Sequence, residues 1–121
     1  METYLRFETA WRCPRSRRPL GVFYAAGELE DCDDLCPTVA ERLKRSLDWF
    51  SENLIVPQRR LVMRRSVFWF RGSATDVIER IWELVAILDE EAAFVETRST
   101  RRPGAITYKD EQQIAAIPNR R

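Results

Sequence analysis

A chain of 121 residues, 45% apolar and 32% charged, is sized and composed for one globular core and leaves no room for a second domain. Its formal net charge of +1 excludes a strong overall attraction to nucleic acid or anionic lipid, and its lack of histidine excludes serine–histidine and cysteine–histidine nucleophilic sites in their usual form. No apolar run approaches the ~18 residues that cross a bilayer, and the opening Met1-Glu2-Thr3-Tyr4 lacks a basic-then-apolar signal segment, so the cytoplasm is the expected compartment.

Glu2 to Thr9 alternates Thr3, Leu5 and Phe7 with Glu2, Tyr4, Arg6 and Glu8, the period-two pattern of a strand with one face on the core. Two prolines and four arginines in the stretch from Arg12 to Pro19 predict an exposed connection. Leu20, Val22, Phe23, Ala26 and Leu29 then suit a short helix with Pro19 in its first turn, although Gly21 and Gly27 weaken it. An acidic loop follows from Glu28 to Asp34, and Pro37 opens a second helix to about Asn53. In that helix Val39, Leu43, Leu47, Phe50 and Leu54 form one buried stripe, while Glu41, Arg42, Arg45 and Glu52 stay wet.

Pro57 ends this periodicity. Leu61 to Phe70, closing on Val67-Phe68-Trp69-Phe70, predicts a central strand apolar on both faces, and Arg71-Gly72-Ser73 turns the chain. A third helix from about Ala74 to Glu91 buries Val77, Ile78, Ile81, Trp82, Leu84, Val85 and Leu88. Phe94 to Thr97 is a short strand, Arg98 to Arg102 a basic loop and Pro103-Gly104 a turn. Ala105 to Lys109 and Gln113 to Ile117 then form a terminal hairpin about Asp110-Glu111-Gln112. The predicted architecture is a single α+β domain over residues 1–121. It has a mixed, mostly antiparallel sheet of about four to five strands, with three helices packed on one face, in the order β-α-α-β-α-β-β-β.

Four stretches together resemble a family of small bacterial proteins that carries no assigned activity. They are Gly21-Val22-Phe23 with Ala25-Ala26 and Leu29; Leu47-Asp48-Trp49-Phe50 with Asn53-Leu54 and Pro57; Phe68-Trp69-Phe70 with the helix Ile81 to Leu88; and Arg102-Pro103-Gly104-Ala105-Ile106-Thr107-Tyr108-Lys109-Asp110 with Gln112 or Gln113, Ala116 and Pro118. They span nearly the whole chain. The resemblance implies a shared fold and brings no activity, cofactor or site residue with it. Its members are often richer in histidine near the central strand, and this chain departs from them there.

Among the chemistries that remain, a metal site is not expected. Cys32 and Cys36 have neither zinc-knuckle spacing nor a second cysteine pair, and three cysteines in all point to reduced thiols. Cys36 lies just before a helix start, where the dipole could lower a thiol pKa, but a small residue in a loop is the better reading. No glycine spacing cradles phosphate, and no cofactor is expected. Glu96, Asp110 and Glu111 lie on or beside neighbouring strands and are the one carboxylate group suited to acid–base chemistry on a phosphorylated substrate.

Eighteen of the twenty basic residues are arginine. They cluster as Arg12, Arg15, Arg17 and Arg18; as Arg59, Arg60, Arg64 and Arg65 with Arg71; and as Arg98, Arg101 and Arg102. If these clusters meet on one rim, they suit a protein or nucleic-acid partner, with Phe68 and Phe70 able to stack bases unless they are core. Trp49, at the edge of the second helix's stripe, is a candidate interface anchor unless it packs on the first strand or third helix. The expectation is therefore a non-enzymatic binding or accessory module acting through arginine. A small carboxylate enzyme and a homodimer joined at a sheet edge are the alternatives, and no membrane partner is expected.

Overall fold

The computed structural model describes residues 2–12, 19–56, 66–91 and 93–119. It is an α+β fold whose elements run Tyr4–Arg12 (β1), Pro19–Gly21 (β2), Val22–Glu30 (α1), Pro37–Asn53 (α2), Val67–Arg71 (β3), Thr75–Glu90 (α3), Val95–Thr100 (β4), Ala105–Lys109 (β5) and Gln113–Ile117 (β6). Among the described residues, no helix is long and apolar enough to cross a membrane.

Every ladder among these strands is antiparallel. β4 pairs with β1 from Tyr4 to Thr9, so it occupies one edge of that strand. The other edge is shared: β3 takes Tyr4 and Leu5, and the short β2 takes Glu8 and Arg12. β6 then pairs with β3, and β5 with β6, which places β3 centrally as its apolar composition requires. β2 is a three-residue addition to the predicted order. Gly21, extended at φ −77° and ψ 171°, ends it, so α1 starts at Val22 rather than Leu20.

The registers rule out a flat sheet. Thr100, at the end of β4, lies level with Tyr4, whereas Ala105, at the start of β5, pairs with Ile117 at the far end of the ladder. Flat geometry would hold those ends roughly 25 Å apart, four strand spacings across and about five residues along. Five residues reach at most about 18 Å. The sheet is therefore twisted and curled enough to bring its edge strands toward each other.

Phe7 on β1 points to the helical side, with Leu5, Phe70 and Val95 packed against the same core. The predicted stripes of α2 and α3 meet it: Leu43, Val77, Ile81, Leu84 and Leu88 are essentially inaccessible. Phe23 on α1 links the layers, edge-on to Phe50 at 4.9 Å and to Phe70 at 6.2 Å between ring centroids. Trp82, expected in that core, instead stays 48% exposed and turns its ring edge-on to Phe7. The opposite sheet face has its own small cluster of Tyr4, Ile114 and Ala116 with Trp69, and among the described residues no helix residue joins it.

Candidate functional site

Among the described residues, the sheet face turned away from α1, α2 and α3 carries much of the polar geometry. In the β1–β4 ladder Arg6 lies opposite Arg98 and Glu8 opposite Glu96, so like charges face each other across the strands. The conflict is resolved within and diagonally between strands. Arg6 Nε donates to Glu8 Oε2 at 2.9 Å, and Arg98 Nε donates to Glu8 Oε1. Arg98 Nη2 also lies 3.8 Å from Glu96 Oε2. The Glu8 side chain is only 6% exposed, so two guanidiniums compensate a carboxylate largely removed from water. Arg98 and Glu96 remain largely open, at 58% and 77%.

A second polar knot joins both ends of the chain to β3. Arg71 lies opposite Tyr4, and its Nε donates to both Glu2 carboxylate oxygens, at 2.9 and 3.0 Å, while Nη1 donates to the Asp110 carbonyl at 2.9 Å. Ser73 Oγ donates to Glu2 Oε1 at 2.7 Å. These bonds, the Arg71 guanidinium first and Ser73 next, hold the Glu2 carboxyl down at about 2. Gly72 is needed here, because a Cβ would stand 2.6 Å from the Thr3 carbonyl oxygen that its own N–H reaches.

The β5–β6 turn closes on Asp110. Its Oδ1 accepts the backbone N–H groups of Gln112 and Gln113 at 2.7 and 2.8 Å, and Oδ2 accepts the Tyr108 hydroxyl at 2.7 Å. That last bond raises the Tyr108 pKa. Beyond the turn, Gln112 donates to the Asn53 carbonyl and accepts the Ile55 N–H, at 2.7 and 2.6 Å, while Gln113 donates to the Ile55 carbonyl at 2.7 Å. Two glutamines thus fasten the end of α2 to the hairpin.

Of the arginines singled out from sequence, Arg15, Arg17, Arg18, Arg59, Arg60, Arg64 and Arg65 lie outside the described residues. Arg71 is on the face turned away from α1, α2 and α3, committed to Glu2 and Asp110. Arg98 is on β4 rather than in a loop, and Arg101 and Arg102 follow it, both exposed. Neither has an ion pair among the described residues. Arg102 makes its bond through its backbone N–H, to Thr100 Oγ1 at 3.0 Å. Arg6 and Glu8 were not picked out in advance, though the two-residue spacing of opposite charges in both Arg6–Glu8 and Glu96–Arg98 was a usable signal.

The carboxylate trio is not gathered. Glu96 sits across from Glu8 along β4, whereas Asp110 and Glu111 form the turn tied to Arg71 at the Tyr4 end, with the Asp110 oxygens already engaged. Phe70 belongs to the core and Phe68 is 39% exposed, so the two do not form one open stacking platform. Trp49 packs partly buried against the same core, edge-on to Phe50, with the Arg80 guanidinium 5.1 Å over its ring. Packing on α3 therefore accounts for it.

Cys36 is the N-cap of α2. The backbone amides of Thr38 and Val39 lower its thiol pKa, and both it and Cys32 are exposed free cysteines. Among the described residues no group of His, Cys, Asp or Glu is arranged to hold a metal. An open groove of about 440 Å³ lies between α1 and α2, floored by Phe23, Leu47, Phe50 and Leu54 with Glu30 and Asp48 at its rim. Asp48 is taken up by Lys44 at 2.7 Å, so the groove does not offer a reactive pair. Comparison of the chain with protein-family models, with curated proteins and with solved structures finds no match in any of the three.

Proposed function

We propose that this protein is a non-catalytic accessory module that binds a protein partner presenting carboxylates, through Arg101 and Arg102 just beyond β4. The observation that carries this reading is the pair of exposed guanidiniums at Arg101 and Arg102, without ion pairs among the described residues, while Arg6, Arg71 and Arg98 beside them are matched to Glu8 and Glu2. Arginine suits the role because its planar fork binds a carboxylate by two parallel bonds.

Among the described residues the free cations are few and include the adjacent Arg101 and Arg102, which suits a short acidic segment of a protein partner. The described surface here offers Arg101, Arg102 and the exposed Lys109, with the Glu28–Asp34 acids elsewhere on the molecule. The test is fluorescence polarisation with a labelled polyglutamate peptide and a single-stranded oligonucleotide, each in a salt series. The peptide should bind with an affinity that falls with salt, and the double variant Arg101→Glu, Arg102→Glu should weaken it about tenfold, one decade being about 1.4 kcal/mol. Tighter binding of the oligonucleotide would move the partner to nucleic acid, and no binding of either probe at low salt would end the proposal.

A further inference from the structure

The two edges of the sheet are built differently, and the difference identifies a docking surface. β5 is interrupted by an irregularity between Ile106 and Tyr108 and ends in Lys109, two features that discourage a further strand from adding. β4 has neither. Its register against β1 is unbroken over six residues, its sequence Val-Glu-Thr-Arg-Ser-Thr contains no lysine or proline, and its outer edge has no strand partner among the described residues. Such an edge presents unpaired N–H and C=O groups at strand spacing.

We infer that β4 pairs antiparallel with β4 of a second copy of this chain, about a two-fold axis at Thr97, making one continuous sheet across a homodimer. This goes beyond the arginine-mediated binding proposed above and does not depend on it. The register follows from charge. A two-fold axis perpendicular to the sheet pairs residues of like face, so it must fall on a residue of β4. Centred on Glu96 it opposes two carboxylates, and centred on Arg98 it opposes two guanidiniums. Centred on Thr97 it sets each Glu96 against Arg98 of the other copy and Thr97 against Thr97, both favourable cross-strand pairs. Glu96 and Arg98 are the open members of the charge lattice, so pairing need not disturb the hold on Glu8.

Exposed aromatic surface lies where this contact would cover it. Phe7 is the β1 partner of Thr97, and Trp82, half exposed, has its ring 5.2 Å from that of Phe7 on the helical side. Phe94, 69% exposed, immediately precedes β4 and in this register stands opposite Thr100 of the second copy. A five-residue ladder, Val95 to Ser99 of each copy, with these flanks is small beside the ~1,200–2,000 Å² of a standard interface, so the dimer should be concentration-dependent.

Sedimentation of the full chain over a wide concentration range tests this. The wild type should pass from monomer to dimer. Glu96→Arg, at an exposed position, should stay folded by circular dichroism and raise the dimer dissociation constant about tenfold or more, because both copies of the pair become repulsive. Glu96→Arg combined with Arg98→Glu should restore dimerisation. The exchanged charges again oppose each other, and the guanidinium introduced by Glu96→Arg can serve beside Glu8 in place of the one removed. A wild type that stays monomeric at every concentration overturns the inference. So does a Glu96→Arg protein that dimerises as the wild type does, or a folded double variant that remains monomeric.

Discussion

At the scale of single residues, charge here works mostly inward. Glu2, with its side chain 21% exposed, is coordinated by Arg71 and Ser73, and its folded pKa of about 2 lies below the usual 4.5. The unfolded chain binds a proton at Glu2 sooner as pH falls. The group therefore contributes its full stabilisation above about pH 4.5 and loses it as pH drops through about 2. Comparing thermal melts of the wild type and Glu2→Gln across this range tests the sign. The variant should be less stable by about 1 kcal/mol near neutrality, a modest figure because both groups touch water, and the two melting curves should converge toward pH 2. A gap that persists unchanged at pH 2 would mean that the carboxylate charge is not what Arg71 recognises.

At the scale of elements, what was legible in the chain was periodic. The stripe of α2 and, apart from Trp82, the buried face of α3 repeat at spacings that the side-chain geometry imposes and fall where those spacings place them, while the hairpin from Ala105 to Ile117 was marked by the turn residues between its strands. Arg98 to Thr100 read as loop because charged and hydroxyl side chains do not alternate in hydropathy, yet hydrogen bonding to β1 makes them strand. Less legible still were contacts between distant segments, such as Gln112 reaching Asn53 and Ile55 across more than fifty residues. The glutamines stood out only as part of a motif, and their work is to fasten an element. α2 ends with carbonyls that lack intrahelical donors, and Gln112 supplies one donor and then takes the next free N–H. Gln112→Ala should thus speed amide exchange of Ile55 and of the last turn of α2, at a cost of about 1–2 kcal/mol, and leave α3 protected. Uniform loss of protection would show that the latch supports the whole core rather than one helix end.

At the scale of the whole molecule, the fold depends on one short connection between the two edges of a curled sheet, and Gly104 is where that connection lands. It has φ +110°, and a Cβ placed on it would meet the Ile117 carbonyl oxygen at 2.0 Å and the Pro118 Cα at 3.0 Å. The obstacle is backbone, which cannot swing aside as a flexible side chain would, and the span has little spare length with which to shift. Alanine there must pull Ala105 away from Ile117 and loosen the start of the hairpin, whose other strand, β6, is buried on both faces. Gly104→Ala should therefore cost more than about 2 kcal/mol and lower the melting temperature by roughly 5 °C or more. Gly27 provides the matched control. It sits inside α1 with nothing within 4 Å of a built Cβ, so Gly27→Ala should raise stability by about 0.5–1 kcal/mol through helix propensity and a less mobile unfolded chain. Opposite signs from one chemical change would tie the loss to the setting of Gly104, its positive φ and the Ile117 carbonyl beside it, whereas no loss at Gly104 would show that the connection has room to shift.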